Sequence, residues 1–424
     1  MATRGMVREP SAMLGPARHG LFEFTGLGWG LALPVFLLSL LGLFCIHATD
    51  RLGAAGASGE TEWIFAEWAA VLGPATVRQL AFILTGVGLM IVTLLPSYTR
   101  IGKHAYLFYG LVMAALVALI IDRYVWDVPD WLIPVRRNTR RWLTLGSYFS
   151  IQPSEFMKLG LILALARYLR YRDSYRTWAG LVPPFLFTVA PMLLILKQPD
   201  LGTLLMLLPV LFCMLFVAGA RKRHLVTVIL AGAALLPAFY AWGMSDYQRD
   251  RIRVVFMQSS PDERWHMDKG YQLRQAKIAL ALGGLTGEGY GRGLFLEANT
   301  QLLPEENNDF IFAIIGHQFG LIGCLVLISL YAVIVICGVE IATKTNDPFG
   351  RLLAVGVIVM IVLQALLNVC ENIGMAPITG ITLPFVSAGG SSVWANFIAL
   401  GLLVNVAQRR PMMMMRKPFE HRDG

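Results

Sequence analysis

The sequence predicts an all-α polytopic membrane protein, and three observations carry that expectation. Its 424 residues are 56% hydrophobic and only 15% charged, whereas soluble domains carry about a quarter charged residues. Mean hydropathy is +0.59. Apolar runs able to cross about 30 Å of hydrocarbon recur along the chain, and within hydrocarbon a helix alone satisfies every backbone polar group of such a run internally.

In order, the runs are Leu27 to Ile46, Leu80 to Leu95, Ala105 to Ile121, Glu155 to Leu169 and Leu181 to Leu196. Gly202 to Ala218, Leu225 to Trp242, Phe310 to Val339, Leu352 to Val369 and Leu383 to Val406 follow, giving about ten spans. The expected organisation is one integral membrane domain over 1–424, with tails at 1–26 and 407–424 and a large loop at 243–308 between the seventh and eighth spans. The first 20 residues are basic and broken by Pro and Gly, and the first span has no small-residue cleavage site, so no cleavable signal peptide is expected.

Basic residues of short loops set orientation. With the N-terminus inside, the inner segments carry Arg4, Arg8 and Arg18, then Arg100 and Lys103, then Arg167, Arg170, Arg172 and Arg176. Arg221, Lys222 and Arg223, then Lys344 and Arg351, then a basic tail from Arg409 to Arg422 complete the set. Both termini are therefore expected inside. All five cysteines, Cys45, Cys213, Cys324, Cys337 and Cys370, fall in or beside spans, so no disulfide is expected.

Two outer loops break the charge rule. One holds Arg123, Arg136, Arg137, Arg140 and Arg141; the other holds Arg249, Arg251, Arg253, Arg264, Lys269, Arg274, Lys277 and Arg292. Such charge suits an anionic ligand, because Arg offers paired donors to phosphate oxygens. The alternative is solvated loop charge, since long loops translocate regardless of charge and Asp246, Asp250, Asp262, Glu263 and Asp268 dilute the second cluster.

Polar residues gather at the same outer ends. "RRWLTLGSYFSIQPSEFMK" leads into the fourth span, with Glu155 and Lys158 one turn apart. "KQPDLGT" places Lys197 and Asp200 between the fifth and sixth spans, and "NVCENIG" places Asn368, Glu371 and Asn372 at the end of the ninth. "LPFVSAGGSS" opens the tenth with Ser387, Ser391, Ser392 and a Gly389-Gly390 pair, and "EENNDFIFAIIG" opens the eighth with Glu305, Glu306 and Asp309. Each has a plain structural reading: Asp309 and Asp200 as helix caps, Glu155 and Lys158 as a surface pair, the glycines and serines as packing residues. Together they point to one shared outer site, because ionisable residues at membrane depth are costly.

In the large loop, "GYQLRQAKIALALGGL" reads as an amphipathic helix in the interface plane, with Leu273, Ala276 and Leu280 against the membrane. The following "GEGYGRG" lacks a preceding strand and the GxGxxG spacing, and is expected to be a flexible hinge rather than a nucleotide site. No Cys/His spacing suggests zinc, and no nucleophile motif appears.

"GSYFSIQPSEFMK", "KQPDLGT", "GYQLRQAKIALALGGLTGEGYGRG", "LPEENNDFIFAIIG" and "NIGMAPITGITLPFVSAGGSS" together resemble the SEDS family of RodA/FtsW type, in order and across most of Arg140 to Arg410. The resemblance implies a peptidoglycan glycosyltransferase that polymerises lipid II on the outer face of the cytoplasmic membrane. It implies partnership with a class B penicillin-binding protein, elongation-complex membrane proteins and membrane lipids; no nucleic-acid partner is expected. Asp309 matches the family's catalytic aspartate, and as a general base it would take the proton of an acceptor sugar hydroxyl. Arg140, Arg141 and Lys158 would stabilise the leaving pyrophosphate. Glu155, Lys197, Asp200, Glu305, Ser391 and Ser392 complete the expected substrate-binding set; no metal ligand is assigned, and a need for a divalent cation such as magnesium or manganese stays open.

The chain departs from the family at three places: Asn308 replaces a usual Thr, His317 and Gln318 an acidic pair, and Ala388 a Tyr. "NIGMAPITGITLPF" leans toward the rod-elongation branch, with division the alternative. A lipid II flippase would use the same lipid, but would need polar residues through both leaflets, and the inner halves of these spans, Glu340 excepted, are nearly bare.

Overall fold

The structure, a computed structural model, describes residues 26–53, 72–124, 133–134, 140–145, 149–172, 174–260, 270–296, 303 and 306–409. Residues 1–25 and 410–424 of the expected tails lie outside these, as do Arg136, Arg137 and Glu305.

Helices form where the apolar runs lie: α1 (Gly26–Gly53), α2 (Pro74–Leu94), α3 (Tyr98–Lys103) and α4 (Ala105–Tyr124). A short hairpin follows, β1 (Leu143–Leu145) against β2 (Phe149–Ile151), antiparallel with Thr144 opposite Ser150. Then come α5 (Pro153–Leu169), α6 (Trp178–Lys197), α7 (Leu201–Ala218) and α8 (Lys222–Ala238), the last continued by wider π-helical turns to Gly243. The large loop contains α9 (Asp246–Phe256) and α10 (Tyr271–Gly283), and α11 (Ile311–Lys344), α12 (Pro348–Ile373) and α13 (Gly390–Arg409) close the bundle.

Among the described residues nine helices are long and apolar enough to cross a membrane: α1, α2, α4, α6, α7, α8, α11, α12 and α13. The remaining expected span is α5, which has 17 residues and so rises about 25 Å. It is the central post. Nearly every α5 residue is buried, and the helix touches α4, α6, α7, α12 and α13. In contrast, α8 buries only His224 and Leu225 and stands at the periphery.

Polar ties fix the inner end. Arg170 pairs with Asp347 at 3.0 Å, and Asp347 caps α12 by accepting from the Gly350 amide at 3.0 Å. Asn405 donates to the carbonyls of Thr93 and Pro96, each at 2.7 Å, and so ties α13 to the end of α2. Bonds of this kind matter because lipid offers helices little hydrophobic drive to associate.

Three expectations change. The tenth span is helical only from Gly390, not Leu383. Residues 383–389 fold as a tight turn in which the Leu383 amide donates to Ser387 Oγ at 2.7 Å, with Phe385 and Val386 only 1% and 0% exposed. Their hydrophobicity serves burial within protein rather than membrane crossing.

Second, the apolar face of α10 meets α11 instead of the membrane. Leu273, Ala276 and Ala279 are buried, and small residues allow the contact: a Cβ on Gly283 would lie 1.9 Å from the Gly316 carbonyl oxygen.

Third, "GEGYGRG" is a bonded strap, not a loose hinge. The Glu288 and Gly289 amides donate to the His317 and Gln318 carbonyls at 3.0 and 3.1 Å. Gly287 has φ 81°, and any Cβ there would meet the Gln318 carbonyl at 2.1 Å. The strap also completes a break in α11, whose backbone is non-helical at Gly320. The Leu321 and Ile322 amides donate to the Gly284 and Leu285 carbonyls at 2.9 and 3.2 Å, so these two donors keep acceptors across the break.

Candidate active site at the mouth of α11

Asp309 lies just before α11, but it is not the helix cap. Phe310 occupies the N-cap position with no side-chain cap bond, and the Ala313 amide donates to Asn372 Oδ1 at 3.1 Å. Asn368 and Asn372, one turn apart on α12 and so on one face, donate to the Asp309 carbonyl at 2.8 and 3.1 Å. Asn368 also donates to the Ile381 carbonyl at 2.7 Å. Thus α12 holds the Asp309 backbone from behind and ties it to the 378–383 segment.

The approach is pinned from two further elements. Thr49 of α1 donates to Asn307 Oδ1 at 2.6 Å, while Ser387 Oγ donates to the Asn308 carbonyl at 2.6 Å and the Ala388 amide to the Asn307 carbonyl at 2.8 Å. Burial pushes the neighbouring Glu306 carboxyl up to about 7.

Gly380 brings the charged groups together. Its φ is 75°, and a Cβ on it would lie 3.2 Å from Asp309 Oδ2 and 3.8 Å from Arg251 Nη1. Arg251, on α9, donates Nη1 to the Ile378 carbonyl at 2.9 Å and Nη2 to the Tyr247 hydroxyl. On the other side of this turn, Glu371 of α12 accepts from Thr379 Oγ1 at 2.9 Å and from the Gly380 amide at 3.4 Å. A carboxylate, a guanidinium and a second carboxylate therefore surround one glycine.

A second polar cluster centres on Asp200, the cap of α7. It accepts from the Thr203 amide and hydroxyl at 3.1 and 3.0 Å, from Ser154 Oγ at 2.8 Å and from Gln152 Nε2 at 3.1 Å. Burial raises its carboxyl pKa, yet nearby Arg141 and the bonds from Thr203 and Ser154 outweigh burial and hold it below the ordinary aspartate value. The Gln152 amide donates to Ser391 Oγ at 2.9 Å, and Ser391 in turn donates to the Ser150 carbonyl at 3.1 Å. Ser392 Oγ lies 2.6 Å from Thr382 Oγ1. Both clusters thus share the 378–392 segment, and Gly202 at the start of α7 packs directly on it, where a Cβ would lie 2.6 Å from Ile381.

Among the residues expected from sequence, Asp309, Arg141, Asp200, Ser391 and Ser392 join this network. Glu155 and Lys158 pair at 2.8 Å, with the Lys158 side chain 3% exposed. Arg140 pairs with the buried Asp122 at 2.9 Å, and Lys197 stands exposed at the end of α6. Glu305 lies outside the described residues. His317 and Gln318 lie deeper, beneath the strap, with His317 edge-on to Phe295 at 5.3 Å. The sequence named Arg251 only as one of the large loop's basic residues, and it did not single out Thr379 or Gln152; the spacing of Asn368 and Asn372 was the available sign that α12 faces Asp309. Among the described residues no group of three or more His, Cys, Asp and Glu side chains is placed to hold a metal. The arrangement offers a proton acceptor beside fixed cations.

Fold and site together define a multi-pass helical membrane protein with an acid-centred site where several helix ends meet. Residues 31–411 match the FtsW/RodA/SpoVE family, described as cell cycle protein, and the chain belongs to it. It is 36% identical to the stage V sporulation protein E of Bacillus subtilis over 331 residues, covering 72% of this chain and 87% of that protein. It is 31% identical to the peptidoglycan glycosyltransferase MrdB of Escherichia coli over 343 residues, covering 79% and 86%. A chain from a solved structure on coordination of polymerization and crosslinking by a peptidoglycan synthase complex superposes with a TM-score of 0.68 at 27% identity, covering 91% of this chain and 98% of that one. Family and spans make it a multi-pass protein of the cytoplasmic membrane.

Proposed function

We propose that this protein is a peptidoglycan glycosyltransferase that polymerises lipid II on the outer face of the cytoplasmic membrane, with Asp309 as general base. The observation that carries this reading is the placement of Asp309 opposite Gly380 and close to Arg251, in a family whose named members include peptidoglycan glycosyltransferases. Asp309 takes the proton of the acceptor sugar hydroxyl as its oxygen bonds to the donor's anomeric carbon. The bond from that carbon to the pyrophosphate breaks, and its electron pair leaves with undecaprenyl pyrophosphate. One displacement inverts the anomeric centre, so a single base suffices.

Fixed cations stabilise charge developing on the leaving group without reorganising. Arg251 stands beside the acid centre, and Arg140, Arg141 and Lys158 lie toward the hairpin and α5. Glu155, Lys197, Asp200, Ser391 and Ser392 are the further substrate-binding residues of this reading, together with Glu305, which lies outside the described residues. A class B penicillin-binding protein is the partner that fits, given the likeness to a synthase complex that couples polymerization with crosslinking. The biological setting of this reading is cell-wall elongation and cell shape.

Purified protein, alone and with its penicillin-binding partner, is incubated with lipid II and the products are separated by length. Glycan strands that depend on this chain are expected. Movement of lipid II across vesicles without any polymer would overturn the assignment in favour of a transporter.

A further inference from the structure

The acid centre contains a carboxylate that the reaction above does not use. Glu371 lies near the end of α12 and is 0% exposed, a costly place for an ionisable group unless it serves the site. Its oxygens take the Thr379 hydroxyl and the Gly380 amide at 2.9 and 3.4 Å. On the opposite side of the same glycine stands Asp309 Oδ2, 3.2 Å from where a Cβ would be. The turn that Asp309 faces is thus held by Glu371 and, through the Ile378 carbonyl, by Arg251.

We propose that Glu371 is a positioning residue for Asp309: by accepting from Thr379 and Gly380 it fixes the turn against which the base stands. This rests on the reading of Asp309 as the base. A general base acts only from within hydrogen-bond reach of the hydroxyl it deprotonates, and a misplacement of about 1 Å can cost about 10²-fold in rate.

Few other charged groups border the turn: Arg251 of α9 bonds the Ile378 carbonyl, and Glu306 lies on the approach to α11. Asp200 stands across the 378–383 segment at the start of α7, and Asp50 and His47 lie at the end of α1 near Thr49. Residues 374–407, which supply the turn and most of α13, contain no ionisable side chain.

The test is Glu371→Leu, which removes both acceptors, beside Glu371→Gln, which keeps a carbonyl acceptor. Polymerisation of lipid II by each variant is followed with its partner present. In Glu371→Leu kcat should fall about tenfold, with KM for lipid II within about twofold, and Glu371→Gln should recover most of that loss. Thr379→Val removes the hydroxyl that Glu371 holds and should lower kcat by less. A parental kcat in whichever variant inserts and folds, or a loss confined to KM, overturns the proposal. Asp309→Asn is run beside them: if it still polymerises, the reading of the base fails, whereas an inactive Asp309→Asn with a parental kcat in the Glu371 variants sinks this inference alone.

Discussion

Removing the Asp200 carboxylate should loosen the junction of α5, α7 and α13. Asp200 is 8% exposed and accepts four hydrogen bonds from three residues. In Asp200→Ala, loss of the cap costs about 0.5–2 kcal/mol. Ser154, itself 1% exposed, loses its acceptor, and a buried donor left unpaired costs about 1–3 kcal/mol. The sum is about 3 kcal/mol, with Arg141 losing its neighbouring anion as well. In lipid-detergent micelles this should lower the thermal midpoint, followed by tryptophan fluorescence at pH 7, by about 3 °C. Asp200→Asn keeps the cap and should lose about half as much. The pH dependence has a definite sign. A carboxyl held below its ordinary value stabilises above about pH 4, and that contribution is lost as pH falls through the depressed value. The deficit of Asp200→Ala should therefore shrink from about pH 4 downward. A midpoint within about 1 °C of the parent at pH 7, or a deficit unchanged in acid, would refute the network as described.

Glu306 should behave oppositely: its carboxyl, raised to about 7 by burial, binds protons more tightly folded than unfolded, so stability declines as pH rises from about 4.5 to 7. Glu306→Gln should melt later than the parent at pH 8 and alike at pH 4, as thermal scans at both values can check. Gly380→Ala should insert normally yet polymerise at least about tenfold more slowly, because its φ of 75° and the Asp309 oxygen 3.2 Å away leave a methyl no relaxed position; a normal rate in the lipid II assay would contradict the close approach. Arg141→Gln should weaken use of the pyrophosphate-linked donor far more than Arg249→Gln, since Arg249 is already engaged by Asp246 and the Tyr240 and Ala241 carbonyls. Equal, small effects on donor KM would return both clusters to loop charge.

Much of the bundle was legible because length and hydropathy alone determine what can cross a bilayer. The same measure misled at Leu383, where Phe385 and Val386 are apolar because a turn is buried in protein. It misread α10 similarly: Leu273 and Ala276 form an apolar stripe, but a stripe does not say whether lipid or α11 covers it. The hairpin was not read from the sequence: β1 and β2 have three residues each, too few for an alternating pattern to register. The candidate site was legible where polar residues gather at a span's end, as with Asp309 and Asp200. Arg251 was hidden among the basic residues of the large loop, since only the fold brings α9 to Gly380. Glu371 was visible as an outer-end acid, but its contact with Thr379 depends on the turn after α12, which no periodicity describes.

The central claim is that Asp309 is a base and not a structural residue. Because Asn372 supplies the acceptor at the Ala313 amide, Asp309→Asn should leave insertion, thermal midpoint and partner binding nearly unchanged. Incubated with lipid II and the penicillin-binding partner, the folded variant should make no glycan strands, because an amide of the same shape cannot take the acceptor's proton. Near-normal strand synthesis by Asp309→Asn would contradict the account.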